Sequence, residues 1–558
     1  MALGSAPRLA DASGASRDDG RSVVAPDRER SRYPRPDRPA FEPPDAMFFH
    51  DWGVNPWQDS WRDSRSTFAL DVDTGSYGLV RSYLEQGLMP PPAAVRVEEM
   101  VNAIDQGYRQ PWAEDFALRI DGARDPFGAD ANEVLLRVGI QARAVSQRQR
   151  LPARLSFVID VSGSMGGDNR LELVKDALAT LVEGLGPDDA VAIVAYSDEA
   201  WVVLPMTPAD QPHRILRALE ALQPQASTNA EAGIALGYDL AAEAFEPEAI
   251  NRVVLCSDGV ANVGARGPRA ILQRIERELA RGITLTAVGV GMGNYNDALM
   301  EQLADHGEGS YHYVDDRREA RRIFGENLTA TLQLVARDAK VQVEFNPKTV
   351  WAYRLIGYEN RDLADRDFED DRVDAGEIGA GQSATALYAL SLVPDARGEL
   401  ATVQLRWARA DSGEVRSLEA HARASDLVER WDHADAAFRL TGALATFAEI
   451  LRESPYAEGL SLDAVIGIAD AAARDLGSDE AYAVADLMAL AGEPRRAGFE
   501  SRRSHGYPER APESGRSGTG AGRAGTDRST GLDKCVAICI LVFRCSNSYA
   551  SSVDGELR

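Results

Sequence analysis

Asp160, Ser162 and Ser164 stand at alternate positions and offer one carboxylate and two hydroxyls within a single short segment. All three are hard oxygen donors. Mg²⁺ takes such oxygens in octahedral geometry and usually keeps several waters. Three side chains cannot fill six positions, so other loops, solvent and a ligand must complete the shell. Two further segments bring suitable oxygens. QPQASTNA at 223–230 places Thr228 just ahead of a helix, and Ser257-Asp258-Gly259 closes an apolar run. The set reads D-x-S-x-S, then Thr, then Asp.

The elements around these residues follow a steady alternation. ARLSFVID (153–160), DAVAIVAYS (189–197), NRVVLCSDG (251–259) and ITLTAVGVG (283–291) are nearly continuous apolar runs. Between them lie helical stripes at 171–185, 215–223, 231–245 and 269–282. The series ends with 297–307, GSYHYV (309–314) and a helix over 315–332. Strands alternating with amphipathic helices predict a parallel sheet covered on both faces. Ligands of such sheets bind beyond the carboxyl ends of the strands. All five oxygen-bearing residues fall at a strand end or in a strand-to-helix loop.

This constellation resembles the metal-ion-dependent adhesion site of von Willebrand factor type A (VWA) domains. The resemblance implies a role for each residue. Ser162 and Ser164 bind Mg²⁺ directly, with Mn²⁺ or Ca²⁺ as alternatives. Thr228 binds it directly or through water. Asp160 and Asp258 sit near the ion and hold its waters. The Asp or Glu of a protein partner completes the shell. The likeness extends beyond this domain. DVDTGSYGLVRSYLEQGLMPPPAAVRVEEMVNAID (71–105), GVGMGNYNDALMEQLAD (289–305) and the stretch from VARDAKVQVEFNP to YALSLV (335–393) resemble the bacterial YfbK-type family of VWA proteins. Members are typically secreted or lipid-anchored. The expected fold class is α/β: a Rossmann-like, doubly wound VWA domain with a flanking antiparallel β domain and a C-terminal helical region.

The remaining chain divides by composition. Residues 1–45 are rich in Arg, Asp, Pro, Ser and Gly and read as disordered. Residues 46–112 form an N-terminal extension, in which Trp52, Trp57 and Trp61 are expected to dock as an irregular arm. Strands at 113–150 belong with a β region at 335–425, either a sandwich or a single sheet. The VWA domain spans 151–334, and helices fill 426–494. The tail, 495–558, turns from Arg-, Gly- and Ser-rich to CVAICILVF, and reads as a flexible or mistranslated end.

Composition excludes several functions. The 558 residues are 44% apolar and 27% charged, a globular balance. The longest apolar run, Cys535–Phe543, is too short to span a bilayer. The first 30 residues hold no apolar stretch, so no secretory leader is read there, and the compartment stays open. Net charge is −26. Residues 1–40 carry eight Arg against six acids, and 495–558 carry eleven bases against seven acids, so the acidity lies between them. Such a body repels nucleic acid and anionic lipid.

Other features read as structural. Cys256 is expected to be a buried, inert thiol. Asp71-Val-Asp73 reads as a turn after a strand, since the later glycine and glutamate of a calcium loop are missing. The acidic run 362–377 reads as a solvated loop. His306 and His312 lack ligand partners at metal spacing. No histidine lies within 40 residues of Ser162 and Ser164 to activate a nucleophile. The sequence thus favours a non-enzymatic, Mg²⁺-dependent interaction module. A scaffold with an idle metal site is the alternative, and a metal-dependent hydrolase is less favoured.

Overall fold

The computed structural model describes residues 49–128, 130–167, 169–225, 228–259, 268–291 and 297–492. The described residues all belong to one compact unit. The expectations for 1–45, for 495–558 and for the loop residues 260–267 lie outside them.

In the α/β domain, β1 spans Ala153–Asp160, β2 Ala190–Tyr196, β3 Ala200–Pro208, β4 Ile250–Ser257, β5 Ile283–Val290 and β6 Tyr311–Val314. The sheet order is β6-β5-β4-β1-β2-β3. Every pairing is parallel except β2 with β3. Helices α1 (Arg170–Glu183), α2 (Pro212–Glu220), α3 (Ala230–Glu243), α4 (Pro268–Leu279) and α5 (Asp297–Asp305) cover both faces. Leu171, Val174, Leu178 and Leu181 of α1 pack on one face with Phe157 and Ile159. Ile234 and Tyr238 of α3 pack on the other with Val158 and Leu255. This confirms the doubly wound expectation, with two additions. The antiparallel edge strand β3 breaks the strict alternation. The helix expected over 315–332 is three pieces, Arg317–Arg321, a π turn at Arg322–Glu326, and Leu328–Leu332.

The outer edge of β6 is covered rather than bare. A helix at Gly75–Glu85 lies against it, close enough that a Cβ on Gly75 would sit 2.5 Å from Tyr311 Cε1. Covering an edge removes a template for unwanted strand pairing.

The strands before 143 do join those after 334, in two facing sheets. One runs Gln58–Asp59, Val350–Ile356, Ser383–Leu392, Glu133–Ala142, Phe116–Arg124 and Leu427–Val428. The other runs Gly376–Gly379, Leu334–Phe345, Glu399–Arg409 and Val415–Arg423, with Arg65–Ala69 also paired to Leu334–Phe345. Leu136, Val138, Val341, Val343, Tyr388 and Leu405 fill the space between. Helices Ala436–Leu451, Leu462–Leu476 and Asp479–Leu490 close the molecule, each started by a side-chain cap from Asp435, Ser461 or Ser478. Phe438, Leu444 and Phe447 pack there with Met100 and Val101.

The tryptophan arm departs from expectation. Trp57 packs on the helical core, whereas Trp52 and Trp61 are 48% and 65% exposed. Residues 58–59 instead hold the arm by pairing with Ala352 and Tyr353.

The Asp71–Asp73 turn is also more than a strand end. Both carboxylates are buried and face Arg361, which contacts Asp71 at 3.2 Å, Asp73 and Glu301 at 3.6 Å and Asp305 at 3.2 Å. Arg96 adds Glu99 at 2.6 Å and Glu301 at 3.0 Å. The run at 362–377 is likewise tied down in part: Thr67 donates to Asp365, and Lys340 donates to the Asp370 carbonyl.

Glu98 accepts from the Tyr358 amide at 3.0 Å in this region. Burial pushes its carboxyl up to about 8, with Glu359 and Glu99 adding to the effect. A carboxyl raised on folding holds its proton more tightly in the native state. Its contribution is therefore full below its ordinary value of 4.5 and is lost as pH rises through about 8. Glu98→Gln should match the wild type at the acid end and become the more stable protein as pH rises to 8 and above. Urea midpoints across that range would check this, and a constant gap between the two proteins would refute it.

Candidate metal centre

β1 is the central strand, flanked in parallel by β2 and β4. The carboxyl ends of three strands therefore emerge side by side, carrying Asp160, Tyr196 and Ser257. Asp160 is buried and accepts from three directions. Its Oδ1 takes the Ser162 amide at 2.8 Å. Its Oδ2 takes the Ser257 hydroxyl at 3.0 Å and the Tyr196 phenol at 3.2 Å. Burial pushes the carboxyl up to about 6, with Asp258 adding its repulsion and the bonds from Ser162 and Ser257 opposing the shift.

After Asp160 the chain makes a 3₁₀ turn, Gly163–Gly166, plugged into the core by Met165. This turn presents Ser162 Oγ and Ser164 Oγ 3.0 Å apart. Gln225 donates its amide to the Val161 carbonyl, and Asn229 Nδ2 donates to the Asp198 carbonyl. These bonds hold the loop that carries Thr228 against the ends of β1 and β2. Thr228 is half-buried and directly precedes Asn229, whose side chain caps α3. Asp258 follows β4, is buried, and accepts from Arg170 Nη1 at 2.8 Å.

The donor set suits a small hard cation. Two ligands at 90° on an ion 2.0–2.1 Å away stand about 3.0 Å apart, whereas the longer bonds of Ca²⁺ would separate them by about 3.3 Å or more. The Ser162–Ser164 spacing is that of a hydroxyl–hydroxyl hydrogen bond, and it is compatible with two neighbouring oxygens on one small cation. A hydrolytic role has less support, since the partner of Ser162 Oγ is Ser164 rather than an imidazole. His312 is buried, its Nε2 bonded to the Ser310 hydroxyl, and burial pulls its pKa down to about 3. Cys256 is buried in β4, and burial pushes its thiol up.

Among the described residues, Asp71, Glu98 and Glu99 also bring carboxylate oxygens within 4.8 Å of one another. Those oxygens are engaged by Arg361, Arg96 and the amides of Asp73, Ser76 and Tyr358. This group belongs to the ion-pair network between domains.

Tyr196, Ser257 and Arg170 complete the centre and were not singled out from sequence. Ser257 was visible within the S-D-G motif. Arg170 carried a signal in its place: a cation at the first residue of α1 opposes the helix dipole.

This arrangement on a doubly wound sheet defines a VWA-domain protein. The "von Willebrand factor type A domain" family model matches residues 155–326, "von Willebrand factor" matches 44–136, and "Uncharacterized protein YfbK, C-terminal" matches 330–397 and 392–495. YfbK of Escherichia coli (strain K12) is 35% identical over 75% of this chain and 76% of its own length. The chain belongs to the YfbK family of VWA-domain proteins. The protein sll0103 of Synechocystis sp. is 27% identical over 42% of this chain and 54% of its own. A solved von Willebrand factor type A structure from Catenulispora acidiphila is 18% identical and covers 67% of this chain and 89% of its own, with a TM-score of 0.39. VWA domains generally mediate protein–protein interaction without catalysis.

Tyr196→Phe removes one of the three donors to the buried Asp160 carboxylate, together with the phenol's own bond with Ser257. It should cost about 1 kcal/mol of stability. Denaturant unfolding would read this, and an unchanged midpoint would show the phenol to be idle.

Proposed function

We propose that the α/β domain is a Mg²⁺-dependent protein-binding module whose partner presents Asp or Glu. Ser162 and Ser164 hold the ion through their hydroxyls, Thr228 directly or through water, and Asp160 and Asp258 through its waters. The bound ion supplies an electrophilic point of attachment. Two neutral hydroxyls leave its charge largely uncompensated, which is why a carboxylate would be attracted to it.

The observation that carries this reading is the 3.0 Å pair of hydroxyls beside the triply anchored Asp160. The surrounding residues divide the work. Asp160 fixes the loop, Met165 plugs it, and the exposed turn at Gly163–Gly166 together with the segment around Thr228 would select a partner.

Titration calorimetry of chelator-treated full-length protein would test the reading. Wild type should take up Mg²⁺ at one saturable site. Ser164→Ala, at an exposed position, should weaken uptake about tenfold or more with unfolding unchanged. Chelator should also release any partner captured through the module. A folded wild type that takes up no Mg²⁺ would overturn the reading. Uptake with partner binding indifferent to chelator would favour the scaffold with an idle site.

A further inference from the structure

We infer that Arg170 is a positioning residue that withholds Asp258 from the bound cation and so leaves a coordination place for the partner. This rests on the metal-centre reading above. Three observations converge on it. The ion pair is short and enclosed: Arg170 Nη1 lies 2.8 Å from Asp258 Oδ2, with side chains 12% and 8% exposed. Its starting point is unfavourable for a cation, since Arg170 opens α1 at the positive end of the helix dipole. The helix gains nothing from an arginine there.

The path of the side chain is also built. It crosses Gly291, just beyond β5, where a Cβ would lie 2.4 Å from Arg170 Nε and 2.5 Å from Cδ. Gly291 has φ of +78°, which only glycine adopts readily. The Gly291 carbonyl accepts the Tyr313 hydroxyl at 2.9 Å, so β6 braces the floor of this channel. Along its length the guanidinium also reaches the Ser164 carbonyl at 3.4 Å. One side chain thus bridges the hydroxyl-bearing turn and the loop that carries Asp258.

The consequence is chemical. A free Asp258 carboxylate turned toward the ion would be a strong Mg²⁺ ligand. It would tighten metal binding, neutralise the ion and fill a place. Paired with Arg170, it would act on the ion only through water. The centre gives up affinity for the bare metal and keeps the ion attractive to a carboxylate from outside.

The test uses the metal alone on full-length protein. Mg²⁺ affinity comes from calorimetry, and inner-sphere waters are counted by proton relaxation with Mn²⁺. Arg170→Gln should bind Mg²⁺ about tenfold more tightly than wild type, with one fewer inner-sphere water on Mn²⁺. Asp258→Asn placed on Arg170→Gln should reverse both changes. Arg170→Lys, which keeps the charge, should stay near wild type in affinity and water count, and it guards against a folding artefact. Tighter binding with no water lost would mean that Arg170 acts only by charge repulsion, and would overturn the positioning role. Unchanged or weaker binding in Arg170→Gln would overturn it as well, leaving the metal centre standing. A wild type that binds neither ion would remove the metal centre itself, and this inference with it.

Discussion

Arg361 is the constraint on which the architecture turns. It is a guanidinium enclosed by carboxylates from two separate pieces of chain, Asp71 and Asp73 from the N-terminal turn and Glu301 and Asp305 from α5, while Arg361 itself comes from a third, the β domain. Removing one partner of a buried pair leaves an uncompensated charge and costs several kcal/mol. The α/β domain is therefore seated on the rest of the molecule by charge geometry as well as by apolar contact. Acids outnumber arginines here, so some must hold a proton, which is consistent with the raised carboxyls of Glu98 and Glu301.

Asp160 plays the corresponding part inside the α/β domain. It binds its neighbours rather than serving as a free anion. Three donors from β2, β4 and its own loop hold it at the mouth of the sheet. That fixed carboxylate sets the path of the turn that follows and so the distance between two hydroxyls. The candidate centre is organised by the parallel sheet.

Much of this was legible in the residues. The buried strands announced themselves as apolar runs, and D-x-S-x-S with Thr228 and Asp258 fell where a parallel sheet places ligands. The misses have physical causes. β3 is a half-exposed edge strand interrupted by Pro205, so it lacks both the apolar run and the clean alternation that mark a strand. The burial of Asp71 and Asp73 depends on Arg361, nearly 300 residues away, and local sequence cannot reveal so distant a counter-ion. Trp52 and Trp61 show the reverse error, since large aromatics suggest burial although a folded surface retains much apolar area. Arg170 was hidden because its meaning lies in Gly291 and Asp258, which meet it only in three dimensions.

The connections of the α/β domain to the sandwich carry a mechanical meaning. The chain enters from Glu133–Ala142 in one sheet and leaves into Leu334–Phe345 in the other. Entry and exit are fastened together where the Leu151 amide donates to the Gln333 side chain. The Asp160 loop lies at the far end of β1, the strand by which the chain enters the α/β domain. A load applied at that loop would pass along β1 to a tether fastened beside its neighbour, the two anchored in different sheets. The ladder bonds lie across that line, so tension would load them together in shear instead of peeling them apart one by one. Such a mounting resists displacement of that loop along the strand direction.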